Sequence, residues 1–577
     1  MYKRWQNRVA ATVAIVTSSL VFTSCSSLPR DSSPQVMRSY SPDAAETPSL
    51  GPTPGMEPDL LLRDFFSAAA IPAGEYASAR SFLDKSTAAN WNPSGPTLLL
   101  DQIDLTTVSG EDQSKRTFEV RGTVIGKLGE GGIYIPENGV YEAKVEMRRT
   151  DDEWRITSLP EGVAIERTEF RNQYRPHNVY FYGQNGRVLV RERRWLYDGQ
   201  KSLDTELITL LMQGPSENLA PATSTVVPDG ATFAGVEDGE YRFAGMSEMD
   251  EEARLRFAAQ VVWTLSNASI PGPYKITADG TPLVEGLEQM TTDDFADFNP
   301  ESASSSLSSL YALNGGNIMR VEGEKATPIA GELGSSGEVQ SAEIDADGHF
   351  AVVRKDPDDD KKSQLVMGSM GEGLAESDTA RTISRPTFEY DSAAAWVVLN
   401  GKKVVRAVRS STSGEVAETE VKLEGTEQNE DIEGEISVMR LSATGARVAM
   451  IAGGRVYVGV VVKETDGAYR VVNIRELASE LGGSALSLDW RVDGSLVVGT
   501  STTESPMWRV EQDGSAVTTL PSGNVTAPVV AVENSMSTTY ITDARAILQI
   551  PADEAEVAFW REVPGLQGKR SAPIVAN

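Results

Sequence analysis

One thiol and two imidazoles, Cys25, His177 and His349, are all the cysteine and histidine chemistry this 577-residue chain can call on. A zinc centre of the HExxH or Cys2His2 kind needs at least two histidines at close spacing, and a disulfide within the chain needs a second cysteine, so both are excluded. Other reactive patterns fall short by a residue. No GxxxxGK[ST] phosphate loop occurs. In GKLGEGGIY, Tyr134 stands where a third glycine would complete GxGxxG, so the stretch reads as a strand connection. Ser369 in MGSMGEG misses a G-x-S-x-G elbow by one glycine. The acidic run Asp356-Pro-Asp-Asp-Asp360, followed by two lysines, reads as a solvated loop rather than a calcium site, and His349 as a turn residue. Trp396 and Trp490 fall at strand positions that favour a core over a sugar groove. No catalytic residue, cofactor site or metal site is assigned.

Cys25 is different, because its context is specific. The chain opens MYKRWQNRVAATVAIVTSSLVFTSC: Lys3, Arg4 and Arg8 precede an apolar run from Val9 to Phe22, and small Thr23 and Ser24 precede the thiol. That is the anatomy of an export signal, and 14 apolar residues are short for a membrane span. The segment resembles the lipobox of bacterial lipoproteins, with Phe22 where leucine is usual. The resemblance implies cleavage after residue 24 and lipid on Cys25, as an S-diacylglycerol thioether and an N-acyl chain such as palmitate. An uncleaved anchor, or an ordinary signal beside a chance cysteine, is the alternative. Residues 25–58 then form a tether rich in Pro and Ser, with seven prolines from Pro29 to Pro58 and few large apolar residues, which cannot build a core. Extended, it reaches on the order of 100 Å.

The rest of the chain must be positioned by folded elements. Its 53 basic and 83 acidic residues leave a net charge of −30, which disfavours nucleic-acid and anionic-lipid partners. Residues 59–168 begin with helical stripes, Leu61, Leu62, Phe65, Phe66 and Ala69, then Tyr76, Ala79, Phe82 and Leu83. Alternation follows: Tyr141, Ala143, Val145 and Met147 take turns with charged residues, and the strand carrying Trp154 and Ile156 comes after the turn TDDE. Helices before a curved meander resemble an NTF2-like α+β domain. In residues 169–300, Val179 and Phe181 alternate inward, Asn185-Gly186 supplies a turn, and Val188 and Val190 return. A helix carrying Leu203, Leu207, Leu210 and Leu211 stops at Gly214-Pro215. A second helix is expected to open at Ser247 with Asp250 completing a capping box, burying Leu255, Ala258, Val262 and Leu265. The order of these pieces resembles a GerMN domain, with the register of the strand in GVEDGEYRFAG left open.

From 301 to 577 the texture is short strands and Gly/Asp turns, with a repeat of strand, polar turn and apolar strand. Taken at Phe350, Trp396, Val448, Leu496 and Thr539, the steps are 46, 52, 48 and 43 residues, a β-propeller period. The C-terminal SAPIVAN copies the blade openings SRPTFEY and TAPVVAV, while SLYALNGGNIMRVEG reads as outer strands lacking an inner one. Joining the two ends gives six blades. The fold class expected is therefore two α+β domains followed by an all-β propeller, behind a signal peptide at 1–24.

Lipobox, tether, NTF2-like region, GerMN domain and propeller, in that order, resemble the LpqB family of actinobacterial lipoproteins. The resemblance implies a non-enzymatic protein, lipid-anchored on the outer face of the cytoplasmic membrane in the cell envelope. It also implies a partner, the extracytoplasmic domain of the sensor kinase MtrB in the MtrA–MtrB two-component system, linked to envelope homeostasis and division. Two alternatives stay open: a structural protein that binds cell-wall glycan, and a propeller hydrolase. The hydrolase would need carboxylates or histidines converging at the ends of the inner strands.

Overall fold

The computed structural model describes residues 50–108, 112–301, 308–370, 373–390, 393–410, 412–425, 432–552 and 559–576. Cys25, with the signal and most of the tether, lies outside the described residues. Leu50–Asn577 form one compact unit.

The first region packs three short helices, α1 (Pro58–Ala68), α2 (Ala73–Arg80) and α3 (Lys85–Asn90), on a five-stranded sheet. Its strands are β1 (Thr97–Thr107), β2 (Lys115–Leu128), β3 (Tyr134–Thr150), β4 (Glu153–Ser158) and β5 (Val163–Glu166), in the order β4-β3-β2-β1-β5. Pro58 opens α1 at a position where its missing N–H costs nothing. The stripe Leu61, Leu62, Phe65, Phe66 is buried with Val145, Met147, Trp154 and Ile156 of the inward set that the alternation marked, and with Phe118 of β2, while Tyr141 and Ala143 of that set are only partly buried. Register shifts between β1 and β2 and between β2 and β3 supply the curvature. GKLGEGGIY is the connection from β2 to β3, as expected.

A short helix α4 (Arg167–Gln173) leads to the second region, a sheet of β6 (Tyr174–Gly183), β7 (Leu189–Tyr197) and β8 (Thr223–Ser224) with β6 central. Helix α5 (Leu203–Gln213) ends at Gly214, whose φ of 90° suits glycine. A second sheet, β9 (Thr232–Glu237), β10 (Glu240–Ala244), β11 (Lys275–Ala278) and β12 (Thr281–Pro282), accompanies helix α6 (Glu251–Asn267).

Two expectations need correction here. Helix α6 does not open at Ser247: Asp250 is itself the cap, its carboxylate accepting the Ala253 N–H at 2.8 Å. A carboxylate satisfies an orphan N–H without a serine partner, so a motif that places Asp at the third helical position misplaced the start. Strand β6 is not buried on one face only. Val179 and Phe181 enter the main core, but Tyr180 and Tyr182 are also buried, packed with Leu189, Val226, Trp263 and Phe298. Helix α6 covers that second face, where Gln260 Nε2 donates to the Tyr180 carbonyl at 2.9 Å.

The third region is a six-bladed propeller of four-stranded sheets. The inner strands of blades one to five are Val339–Ile344, Thr387–Phe388, Ile436–Leu441, Ala485–Trp490 and Ala531–Asn534, and that of blade six is Ala572–Ala576. Phe350, Trp396, Val448, Leu496 and Thr539 each lie on the second strand of a blade, so the repeat marked one structural position. Each polar turn is closed in the same way: the backbone N–H of Asp345, Glu389, Ser442, Arg491 and Ser535 donates across it at 2.8–3.0 Å. The ring closes through Ala572–Ala576, paired antiparallel with Ser309–Asn314 of the sixth blade, whose outer strands are Asn317–Glu322 and Lys325–Pro328. Blades two and three are fused, because their outer strands Val416–Gly425 and Tyr469–Leu477 pair in parallel.

The regions share a core. Ala446, Val460, Val462 and Val472 of blade three belong to the same buried cluster as Leu207, Phe257 and Leu265 of the second region.

Candidate functional site

Two places gather chemistry that the chain keeps far apart in sequence. The first is the propeller axis. Glu343, Arg440, Asp489 and Glu533 are the penultimate residues of the inner strands of blades one, three, four and five, and Arg385 reaches in from the residues before the inner strand of blade two. Arg440 Nη1 stands 2.9 Å from Glu343 Oε2, its Nε 3.4 Å from Asp489 Oδ1, and its Nη2 against Glu533 Oε1. Arg385 repeats the bridge, 2.9 Å to Glu343 and 2.5 Å to Glu533. The backbone completes the set: the Asn534 N–H donates to Asp489 at 2.7 Å, and the Val575 N–H of blade six donates to Glu533 at 3.4 Å.

Three carboxylates against two guanidiniums leave one negative charge in excess in a buried place. Burial and the neighbouring carboxylates push the Glu533 carboxyl up to about 8, against the pull of Arg385 and Arg440, and burial pushes Asp489 upward too. Carboxylates therefore do converge, as a propeller hydrolase would require. They are held by arginines, however, and Glu533 is 1% exposed. At the turns of blades three and four, Arg191 and Pro300 of the second region meet Ser442–Thr444 and Arg491–Gly494 around a cavity of about 40 Å³.

The second place is a cleft of about 780 Å³ between the second region and blades two and three. One wall is the loop after β6, Gly183 to Asn185 with Arg187, together with Thr223 and Ser224. The other carries Glu389, Tyr390, Arg406, Thr444, Lys463 and Tyr469. Arg406 is bidentate on Glu389, at 2.6 and 2.9 Å, and lies over the Tyr469 ring at 5.0 Å. Trp396 donates to the same Glu389 at 2.7 Å. Gln184 clasps the Lys463 backbone from both sides, accepting its N–H at 2.7 Å and donating to its carbonyl at 3.4 Å. Away from the cleft the junction is held by Arg193, 2.6 Å from Glu511, and by Trp195 Nε1, 3.0 Å from Asp513. Arg447 Nη2 donates to the Arg191 carbonyl at 3.0 Å, and burial pushes its guanidinium down to about 10.

Compared with known proteins, residues 51–171 match the family described as the N-terminal domain of lipoprotein LpqB, and 178–284 one described as sporulation and spore germination. Residues 316–576 match the LpqB β-propeller domain. Lipoprotein LpqB of Corynebacterium diphtheriae is 39% identical over 96% of this chain and 96% of that protein. The Corynebacterium jeikeium and Mycobacterium tuberculosis proteins of that name are 36% and 30% identical, over 98% and 96% of this chain and 97% of each relative. The chain belongs to the LpqB lipoprotein family.

Within that family framework the axial cluster lies wholly inside the matched propeller, while the cleft lies between the matched middle and propeller spans. Of the remaining sequence candidates, His177 is half-buried on β6 and burial lowers its imidazole. His349 Nδ1 sits 2.7 Å from Asp345 Oδ2 in a blade turn. With Asp347 these two bring their ligand atoms within 4.8 Å of one another at a partly exposed turn, an arrangement common without any ion. The run Asp356–Asp360 is a loop between strands, with Asp359 capping Lys361 and pairing with Lys362 at 3.6 Å. Among the described residues, no helix is long and apolar enough to cross a membrane.

Proposed function

We propose that this chain is a non-catalytic binding protein, held by lipid on Cys25 at the outer face of the cytoplasmic membrane, that modulates the sensor kinase MtrB from outside. The anchor rests on the lipobox and on the family's lipoprotein name; two or more acyl chains hold a protein on a bilayer durably, where one does not. The kinase rests on the family resemblance.

The observation that carries the non-catalytic half is the propeller axis. A general acid or base must reach substrate within hydrogen-bond distance. Here the converging carboxylates are held by Arg385, Arg440 and backbone N–H groups, and Glu533 is 1% exposed. With the Val575 N–H on Glu533, these contacts link all six blades instead. What the chain presents is surface, on a unit whose regions share a core and so keep their mutual placement.

Fractionation and capture test the reading. Wild-type protein should take up labelled palmitate and sediment with membrane, whereas Cys25→Ala should carry no label. The unlipidated residues 26–577, used as bait in detergent-solubilised envelope, should retain MtrB. Full labelling of the Cys25→Ala variant would overturn the anchor, and absence of the kinase from the captured material would overturn the partner.

A further inference from the structure

We propose that the cleft between the second region and blades two and three binds an acidic saccharide: one to a few sugar rings bearing a carboxylate or a phosphate. The proposal goes beyond the kinase reading and does not rest on it.

Size comes first. About 780 Å³ falls within the range of small-ligand sites, and placement at a domain junction is where such sites concentrate. The lining sets the class of ligand. Asn185 spends its carbonyl oxygen on the Arg187 N–H, which leaves its amide nitrogen as a donor. Thr223 and Ser224 donate their hydroxyl protons to the Ala220 and Gly183 carbonyls, which leaves their oxygens as acceptors. Donors and acceptors fixed in this way suit the hydroxyls of a sugar. The apolar side chains of the wall, Trp396, Leu441 and Val461, are 0–9% exposed and offer no open recess for an apolar peptide side chain.

Of the cations lining the cleft, the charge comes from Lys463, since Arg187 on the facing wall has a partner of its own. Arg406 is neutralised by Glu389, and Glu464 by Arg470. The Lys463 ammonium pairs with no carboxylate among the described residues; it stands 5.7 Å from the centre of the Tyr469 ring, and the residue is exposed. A chain of net charge −30 repels anions at long range, so only a local cation can hold one, and the interaction is charge-assisted. The Lys463 backbone is fixed by Gln184, so the ammonium is offered from an anchored strand end.

Calorimetric titration of residues 26–577, which contain the whole compact unit, tests this with four probes: a glucuronate trisaccharide, glucose 6-phosphate, a neutral glucose trisaccharide and tetraglutamate. At least one acidic sugar should bind, and the two acidic arms distinguish carboxylate from phosphate. Lys463→Gln should weaken that binding about tenfold or more, Lys463→Arg should restore most of it, and the neutral sugar should bind about tenfold more weakly. Both variants leave the backbone clasp intact, and an unchanged melting temperature verifies the fold. Four results would overturn the proposal: neutral sugar binding as well as acidic, tetraglutamate binding alone, affinity indifferent to Lys463→Gln, or no binding of either acidic sugar up to about 10 mM. Kinase binding is measured separately and can hold or fail whichever of these results is obtained.

Discussion

Arg440 on the third blade and Glu343 on the first meet across the propeller axis at 2.9 Å, inside a ring of strands that approach one another from regions 97 positions apart. Arg440 also touches Asp489 and Glu533, so one guanidinium bridges carboxylates from three other blades. Removing it should be costly. Arg440→Met leaves buried carboxylates facing one another and should destabilise the chain by about 3–5 kcal/mol, read as a fall in denaturation midpoint. Adding Glu533→Gln to that variant should recover part of the loss. A single variant as stable as the parent would show that the axis is not what holds the blades.

The same cluster gives a pH dependence. Glu533 is raised in the folded state to about 8, above its unfolded value. Its contribution is therefore fully present below the ordinary carboxylate range and is lost as pH rises through about 8. Between about pH 5 and 8 this group should lower stability with rising pH, with a limiting slope of about 1.4 kcal/mol per unit, and Glu533→Gln should flatten that slope. Thermal melts across the range check this; parallel curves for the two proteins would contradict it.

Closure of the ring is the third test. Deleting Ser571–Asn577 removes the inner strand of blade six, the Val575 N–H on Glu533 and the Ser571 carbonyl that accepts from Thr542 at 2.6 Å. It also bares sheet edges. The truncated chain should be protease-sensitive or insoluble. Melting like the parent would show that closure contributes little.

The shared core yields a fourth. Val462 of blade three is 6% exposed among residues of the second region. Val462→Asp buries an unpaired carboxylate there and should split one cooperative unfolding transition into two, or lower it by several kcal/mol. A single unshifted transition in calorimetry would mean that the regions are energetically separate.

Much of this was readable in the sequence. The blade period was, because each repeat puts an apolar second strand after a polar turn, and the closing strand was, because SAPIVAN copies the blade openings. The axial cluster was missed although its signal stood in the same repeats: Glu343, Arg440, Asp489 and Glu533 each sit two residues before the turn residue that closes the hairpin, at Asp345, Ser442, Arg491 and Ser535. One charge per repeat looks like solvated surface until the strands are drawn into a ring. The cleft had no local signature, since Gln184 and Lys463 meet from 279 positions apart. Strand β6 misled for a related reason: alternation marks the face toward one core, and nothing local says that α6 covers the other.

The central claim is that this molecule acts by binding a sensor kinase and not by turnover, and one paired measurement tests it. Residues 26–577 are titrated against the extracytoplasmic domain of MtrB at two salt concentrations, and the same preparation is assayed on polysaccharide, lactone and ester substrates. Binding that weakens at the higher salt, with no hydrolysis, is the predicted result, because salt screens the field of a chain with net charge −30. Hydrolysis abolished by a single carboxylate substitution, with no kinase binding at either salt, would contradict the account.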